Sequence, residues 1–246
     1  MDDLSCVLNN TPVGCNFNGV MYNHLMYADD TCIIAPSPSA LQKLLTICNN
    51  FAVDNFILFN EKKTKCMCFK PRNLSDLHVP NLYLNNVNLE FVSGAKYLGV
   101  LISDKLNDDD DIFRQVKSLY ARGNVLISRF RCCSDDVKLK LFRYFISNSY
   151  GCHLWANYKQ SSFKRLVVAY NNVFRKLFNI RRGTSMSYIY VCNNIDSIGV
   201  LVRKSLYSFM HRIQDSANNL VTSFKSSTFY YTSNFNMHYR RKVFTL

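Results

Sequence analysis

Two adjacent aspartates, Asp29 and Asp30, are the residues of this sequence best placed to do chemistry. They lie in the stretch NHLMYADDTCIIA, residues 23–35, whose apolar flanks predict a buried β-hairpin with the pair at its turn. Adjacent carboxylates repel each other and resist burial, so their charge needs compensation. Rigid carboxylate oxygens suit hard divalent cations such as Mg²⁺, which binds one or two carboxylates together with substrate phosphates. The alternative is an ordinary surface turn, because aspartate is common in turns.

The segments around the aspartates predict strands and one helix. An Asn18-Gly19 pair between apolar positions predicts another hairpin. After the aspartates, Ser37 as N-cap and Pro38 in the first turn predict a helix. Its predicted buried face consists of Leu41, Leu44, Leu45, Cys48, Phe51 and Ala52. Residues 59–70, FNEKKTKCMCFK, then predict a return to strand.

The chain is predicted to have three parts. Residues 1–69 combine strands with a packed helix, and residues 70–105 contain short paired strands with a turn at Asn85-Asn86. Residues 106–246 have helical periodicity throughout. One helix is predicted to be capped by Asp110 or Asp111, another to start at Ser134, and two more to span residues 161–183 and about 199–216. The fold class expected from this pattern is α+β.

Charge is divided unevenly along the chain. Residues 1–111 hold 8 Lys/Arg and 13 Asp/Glu, a net charge of −5, whereas residues 112–246 hold 22 and 4, a net charge of +18. An acidic half followed by a basic half indicates a carboxylate site and then a surface for a polyanion. The alternative is that the basic residues only solvate helices. Residues 161–183 predict an amphipathic helix with one apolar face. Its other face carries the cations Lys164, Arg165, Arg175 and Lys176, and Arg181 and Arg182 follow.

The order of these motifs resembles a known family. YADD at 27–30, an amphipathic helix, FNEKKTKCMCF at 59–69 and KYLGVLIS at 96–103 resemble the reverse transcriptases of LINE-like non-LTR retrotransposons. The resemblance implies an incomplete polymerase palm, with antiparallel strands and a packed helix, followed by an all-helical, thumb-like domain. The primer-grip-like hairpin would occupy residues 70–105, and the basic thumb residues 106–246.

The resemblance also implies an activity and its partners. The parent enzyme would be an RNA-directed DNA polymerase that transfers nucleotides with two ions of Mg²⁺, or of Mn²⁺ in its place. It would act on an RNA template, a DNA primer or RNA–DNA hybrid, and deoxynucleoside triphosphates. Residence in the nucleus or cytoplasm is implied by the family alone. No apolar run approaches the roughly 20 residues needed to span a bilayer, so no membrane partner is expected.

Residue roles follow from matching the motifs. Asp29 and Asp30 would bind the metal ions, and Lys63 would lie near the phosphates of the incoming nucleotide. Tyr97, Leu98 and Gly99 would steady the 3′ end of the primer. The nucleic-acid backbone would be held by the thumb cations Lys164, Arg165, Arg175, Lys176, Arg181 and Arg182.

Plainer alternatives apply to several of these motifs. Lys63 could be a solvated strand-end lysine, and residues 97–99 could form a core strand whose glycine permits close packing. The acidic run 108–111 imitates a metal site, but we expect it to complement a helix dipole. Asp2-Asp3 imitates a catalytic pair and is expected at the end of a helix. The ten cysteines lack zinc-ligand spacing and are expected to be reduced thiols.

One departure from the family pattern affects the expected activity. Polymerases of this kind need a further aspartate from an upstream strand, and only 26 residues precede YADD in this sequence. The resemblance therefore implies the C-terminal portion of a reverse transcriptase, inactive by itself because members of a catalytic unit act non-additively. The alternatives are a non-catalytic nucleic-acid-binding remnant that uses the basic helices, and a degenerate chain that scarcely folds because its strand edges are unpaired.

Overall fold

A computed structural model of the chain describes residues 2–70, 78–146 and 149–243. The chain divides into two compact units, the first formed by Met1–Leu98 with Ala217–Thr228 and the second by Gly99–Ser216 with Phe229–Leu246. The boundary lies after Leu98, inside the predicted middle part. Residues 217–228, predicted to belong to the helical part, pack in the first unit.

The structure contains short strands and longer helices. The strands are β1 (Cys15–Phe17), β2 (Val20–Tyr22), β3 (His24–Tyr27), β4 (Asp30–Ile33), β5 (Lys65–Cys66), β6 (Tyr83–Leu84), β7 (Val87–Asn88), β8 (Glu90–Phe91), β9 (Gly94–Tyr97) and β10 (Val100–Ser103). The helices are α1 (Asp2–Asn9), α2 (Pro38–Asp54), α3 (Asp109–Arg129), α4 (Asp135–Leu141), α5 (Gln160–Leu177), α6 (Met186–Cys192), α7 (Ile198–Asp215), α8 (Asn219–Ser226), α9 (Thr228–Thr232) and α10 (Asn234–Val243). The predicted α+β class is confirmed, while the palm and thumb remain predictions.

The predicted hairpin turns form where the sequence placed them. Asn18 and Gly19 have φ of 50° and 82° between the antiparallel strands β1 and β2. Asn85 and Asn86 have φ of 50° and 61° between β6 and β7. Two successive positive φ values characterise the type I′ turn, whose twist matches that of the flanking strands and which asparagine and glycine tolerate.

Two predictions about the strands are wrong. Residues 59–70 form only the two-residue strand β5, because the backbone from Asn60 to Thr64 folds into a turn instead. The second prediction is the antiparallel arrangement of the strands that the resemblance implied. Strand β5 pairs with β8 in parallel instead, with Lys65 opposite Glu90 and Cys66 opposite Phe91. A parallel pair requires a long connection, and the segment between β5 and β8, which contains the β6–β7 hairpin, is long enough to provide it.

Helix α2 begins as predicted. The Ser37 hydroxyl accepts a hydrogen bond from the Ala40 N–H at 3.2 Å, and Pro38 occupies the first helical position. The buried face of α2 comprises Leu44, Leu45, Cys48 and Ala52. Leu44 and Cys48 pack with Leu4 and Leu8 of α1, so these two helices form a small core in the first unit.

In the second unit, α3 and α5 pack against each other. A Cβ at Gly123, in the middle of α3, would lie 2.7 Å from both Cγ atoms of Val173 on α5, so glycine lets the helices approach closely. Around this contact the rings of Phe142 and Phe174 meet edge to face, with centroids 4.9 Å apart and planes at 87°. The amphipathic helix predicted over residues 161–183 forms over Gln160–Leu177 and ends before the predicted residues 178–183.

The helix predicted from Ser134 is shorter than expected. It begins at Asp135 but is α-helical only to Leu141, and a π-helical turn, Phe142–Ile146, follows. Gly151 then adopts φ of 83° and begins a 3₁₀ turn, Cys152–Leu154. Glycine adopts the left-handed backbone at Gly151 without the steric penalty of a Cβ. In the described part of the chain, none of the helices combines the length and hydropathy needed to cross a bilayer.

Candidate functional site

The two aspartates lie at the tip of the hairpin formed by β3 and β4. Tyr27 pairs with Asp30 in the antiparallel register, leaving Ala28 and Asp29 as the two-residue loop. Ala28 has φ of 53°, a left-handed conformation that costs a residue with a Cβ roughly 1–2 kcal/mol. The turn is therefore strained, and it is retained because the flanking strands determine its geometry.

The hairpin is buried on only one face. Met26 and Ile33 pack against the core of α1 and α2. On the other face, Leu25 is 38% exposed and Tyr27 is 67% exposed. The expectation of a buried hairpin is thus wrong for one side, because β3 and β4 form a two-stranded sheet and no further described strand pairs with either edge.

A hydrogen-bonded network attaches the base of this hairpin to α1. Buried Asn23 donates to the carbonyl oxygens of Leu8 and Val13 at 2.7 and 2.9 Å. The His24 ring contacts the Asn23 amide oxygen at 2.7 Å and the Ser5 hydroxyl at 2.8 Å. Burial lowers the pKa of His24, which favours the neutral ring. The network was not predicted, although it fixes the strand that leads to the aspartates.

Asp29 and Asp30 are exposed, and within the described residues neither forms an ion pair. Exposed carboxylate oxygens without a cationic partner are suitable ligands for a hard divalent cation. However, the described ranges contain no group of three or more His, Cys, Asp or Glu that could hold a metal ion. The pair therefore fits part of a metal site rather than a complete one.

Tyr97, at the end of β9, lies close enough to this hairpin to be affected by it. Its pKa is raised by partial burial and then by the negative charges of Cys32 and Asp30. Cys32 and Asp30 are two residues apart on β4 and so share one face. The structure thus brings together Asp30 and the tyrosine of the predicted primer-binding motif.

Lys63 lies in a turn organised by Asn60. The Lys63 N–H donates to the Asn60 side-chain oxygen at 3.0 Å, and the N–H of Thr64 donates to the Asn60 carbonyl at 2.9 Å. The Lys63 side chain is exposed to solvent. The geometry is compatible with both open interpretations, a phosphate contact and a solvated lysine.

Comparison with known proteins shows that the hairpin lies in a region similar to a known family. Residues 1–102 match the family model described as reverse transcriptase (RNA-dependent DNA polymerase). A probable RNA-directed DNA polymerase from transposon X-element of Drosophila melanogaster is 26% identical to this chain over 160 residues. That match covers 61% of this chain and 17% of the fly protein. No solved structure matches the chain.

Residues 1–102 are thus similar to the reverse transcriptase family. The predicted resemblance is confirmed. The matched region includes the YADD hairpin, the Asn60 turn and the YLG stretch at 97–99. The individual site residues remain predictions.

The YLG stretch forms a tight turn between β9 and β10. Leu98 and Gly99 have φ of 45° and 84°, two successive positive values as in a type I′ turn. A Cβ at Gly99 would lie 2.9 Å from Cε1 of Tyr150, so the position requires glycine for its backbone conformation and for this close approach.

The acidic run at 108–111 lies at the start of α3, as expected, but its carboxylates do more than complement the helix dipole. Asp108 accepts the N–H groups of Ala156 and Asn157 at 2.8 and 2.7 Å. Asp109 accepts the N–H of Lys159 at 2.9 Å. The acidic residues thus bind the segment that leads into α5.

Asp111 is the most buried member of this run, with 1% of its surface exposed. Its carboxylate accepts hydrogen bonds from the Leu101 N–H at 2.9 Å, Arg114 Nε at 2.7 Å and the indole N–H of Trp155 at 2.8 Å. The prediction that Asp110 or Asp111 caps the helix is wrong, because the helix begins one residue before Asp110, at Asp109, and Asp111 faces inward.

The predicted thumb cations lie on and after α5. Lys164, Arg165 and Lys176 are exposed, and so are Arg181 and Arg182. None of these five forms an ion pair among the described residues.

Arg175 differs from the other thumb cations. It is half-buried and donates to the carbonyl of Thr184 at 3.2 Å, so it helps to hold the segment after the helix. Lys164 and Arg175 are 11 residues apart and therefore share one helix face, separated by roughly 16 Å along the axis.

Proposed function

We propose that this chain supplies the aspartate hairpin and a nucleic-acid-holding surface of a transposon's RNA-directed DNA polymerase. The most direct support is the strained hairpin, which packs on the core through one face only. It carries two exposed carboxylates that form no ion pair with any of the described residues. The chain spans 17% of the fly relative, so the activity of the whole protein is part of the proposal.

Asp29 and Asp30 would be ligands of Mg²⁺ or Mn²⁺. Such ions, when bound, activate the attacking hydroxyl and stabilise the leaving oxygen in phosphoryl transfer. The task of the hairpin is to hold both carboxylates in place, and its contacts to α1 and α2 suit it for this. Because two carboxylates are fewer than such a site needs, we propose that a third carboxylate is contributed by residues beyond those described.

The other predicted residues have supporting roles in this proposal. Lys63, exposed on the Asn60 turn, would contact the phosphates of the incoming deoxynucleoside triphosphate. Tyr97, Leu98 and Gly99 would contact the primer strand. The exposed cations of α5 and of residues 181–182 would neutralise backbone phosphates of an RNA–DNA hybrid, without reading its sequence.

Primer extension on an RNA template with Mg²⁺ or Mn²⁺ tests the catalytic part. If the chain incorporates nucleotides, Asp29→Asn should reduce incorporation by a factor of roughly 10³ or more, since members of a catalytic unit act together. Asp54→Asn is the matched control, because Asp54 is an exposed aspartate at the end of α2. Equal loss in both variants, or none in Asp29→Asn, would refute the role of the hairpin.

A second candidate function is nucleic-acid binding without catalysis. It is favoured by the finding that no group of three metal ligands is formed within the described ranges. This function predicts salt-dependent binding of the RNA–DNA hybrid in EDTA, and no primer extension with either Mg²⁺ or Mn²⁺. Replacing Arg181 and Arg182 with glutamine should then reduce the slope of log Kd against log salt by about two, roughly one per lost phosphate contact.

A further inference from the structure

Tyr150 packs directly against the backbone of Gly99. A Cβ at Gly99 would lie 2.9 Å from Cε1 and 3.5 Å from Cδ1 of the Tyr150 ring, too close for any other residue without a shift. Tyr150 is itself held by α3, because the Gln115 amide donates to the Tyr150 carbonyl at 2.6 Å. Gln115 is buried, so this bond is shielded from water.

The two residues after Gly99 are held as firmly. A Cβ at Gly151 would lie 2.9 Å from Cγ2 of Val100, so the residue that follows Tyr150 also packs closely on β10. The Leu101 N–H donates to the buried carboxylate of Asp111 at 2.9 Å. The segment 99–101 and the Tyr150 carbonyl are thus held by specific contacts, and the Tyr150 ring lies directly beside Gly99.

Nevertheless, 59% of Tyr150 is exposed to solvent. Trp155 and Phe142 of the same unit are almost completely buried in its core, whereas Tyr144 and Phe145 are 79% and 55% exposed. Tyr150 is exposed and packs beside Gly99, the residue that we propose contacts the primer. Proteins use aromatic rings with an open surface to stack on nucleobases, and every base offers a π-face for this contact. Gly99 has no side chain that could cover this ring.

We propose that Tyr150 contacts nucleic acid directly, and that its exposed ring stacks on the terminal base pair of an RNA–DNA hybrid whose primer end lies at Gly99. The inference rests on the proposed function and extends it to a residue outside the reverse transcriptase match, which covers residues 1–102. The ring carries no charge, so it would add affinity for the end of the hybrid without neutralising a phosphate. The contact would also be indifferent to base sequence, because stacking involves no hydrogen-bond readout.

The test is hybrid binding by the full chain in EDTA, measured by fluorescence anisotropy at several salt concentrations. Tyr150→Phe should bind within about twofold of the parent chain, whereas Tyr150→Leu and Tyr150→Ala should bind roughly 5- to 150-fold more weakly, the loss of one base–aromatic stack. The salt slope should not change, since no phosphate contact is removed. Tyr144→Ala is the matched control, because Tyr144 is a tyrosine of the same unit with 79% exposure.

A hybrid whose two ends are closed by loops separates stacking from packing. Tyr150→Ala and the parent chain should bind this closed hybrid equally, because it has no terminal pair to stack on. Equal binding of the open hybrid by Tyr150→Leu and the parent would overturn the inference, and so would an equal loss on open and closed hybrids. An unchanged fluorescence spectrum of Trp155, 2.8 Å from Asp111, would confirm that the variants keep their fold.

Two results distinguish a wrong role for Tyr150 from a wrong nucleic-acid surface. If Arg181→Gln with Arg182→Gln weakens binding while Tyr150→Ala does not, the nucleic-acid surface stands and the role of Tyr150 is wrong. If the parent chain binds no hybrid even at low salt, both proposals are wrong.

Discussion

Replacing Asp111 with alanine should destabilise the second unit more than any other single loss of an acidic side chain in the run 108–111. The carboxylate is 1% exposed and accepts three hydrogen bonds. Its removal leaves the Leu101 N–H and the Trp155 indole N–H without these acceptors, at about 1–3 kcal/mol each. Arg114 keeps partial access to water, because 29% of its side chain is exposed. The free-energy cost of leaving Arg114 without this acceptor is therefore smaller. We expect Asp111→Ala to lower the free energy of unfolding by about 3–5 kcal/mol in total, which is comparable with the cost of breaking a buried ion pair.

This loss would be a large part of the 5–15 kcal/mol that stabilises a typical domain. The measurement is urea unfolding at pH 7 followed by the fluorescence of Trp155, the single tryptophan of the sequence. Asp110→Ala is the control, because Asp110 is the adjacent, exposed aspartate of the same helix and contributes only through the helix dipole, about 0.3–1 kcal/mol. The free energy of unfolding of Asp111→Asn should lie between those of Asp111→Ala and Asp110→Ala, because the amide keeps one oxygen acceptor. A difference below about 1 kcal/mol between Asp111→Ala and Asp110→Ala would refute the reasoning.

Three further predictions concern other parts of the chain. Ala28→Gly should raise the stability of the first unit by up to about 1 kcal/mol, because relief of the left-handed strain, roughly 1–2 kcal/mol, exceeds the entropy cost of glycine. Urea unfolding followed by circular dichroism measures this stability, and a lower value for the variant would contradict the prediction. Burial raises the pKa of Cys48 to about 11, so iodoacetamide at pH 8 should alkylate exposed Cys6 well before Cys48, as read by peptide mass spectrometry; similar rates would show that the thiol is not protected. Burial, followed by the charges of nearby cations, lowers the pKa of His238 from 6.5 to about 4, so the unfolded chain binds more protons between these values and stability should fall as pH drops from 6.5 to 4. His238→Phe should flatten this dependence, and an unchanged pH profile would exclude His238 as its source.

Local signals in the sequence predicted the local structure of this protein. The Asn18-Gly19 and Asn85-Asn86 turns formed because type I′ geometry needs positive φ at two neighbouring residues, a property of those residues themselves. The Ser37 cap of α2 is equally local, since its hydrogen bond spans three residues. The order of motifs around YADD was also sufficient to indicate the reverse transcriptase family.

Tertiary structure decided the contacts that connect distant segments. No sequence signal indicated that Asp111 would accept the indole N–H of Trp155, 44 positions away, because a buried carboxylate and a helix-capping carboxylate have the same sequence pattern. Nor could the sequence place Tyr150 against Gly99 or Tyr97 near Asp30, since these contacts depend on how helices and strands pack. Turns and caps depend on residues within a few positions of each other, and so the sequence determined them. The surroundings of each candidate site residue depend on residues brought together only when the chain folds, and so only the tertiary structure could define them.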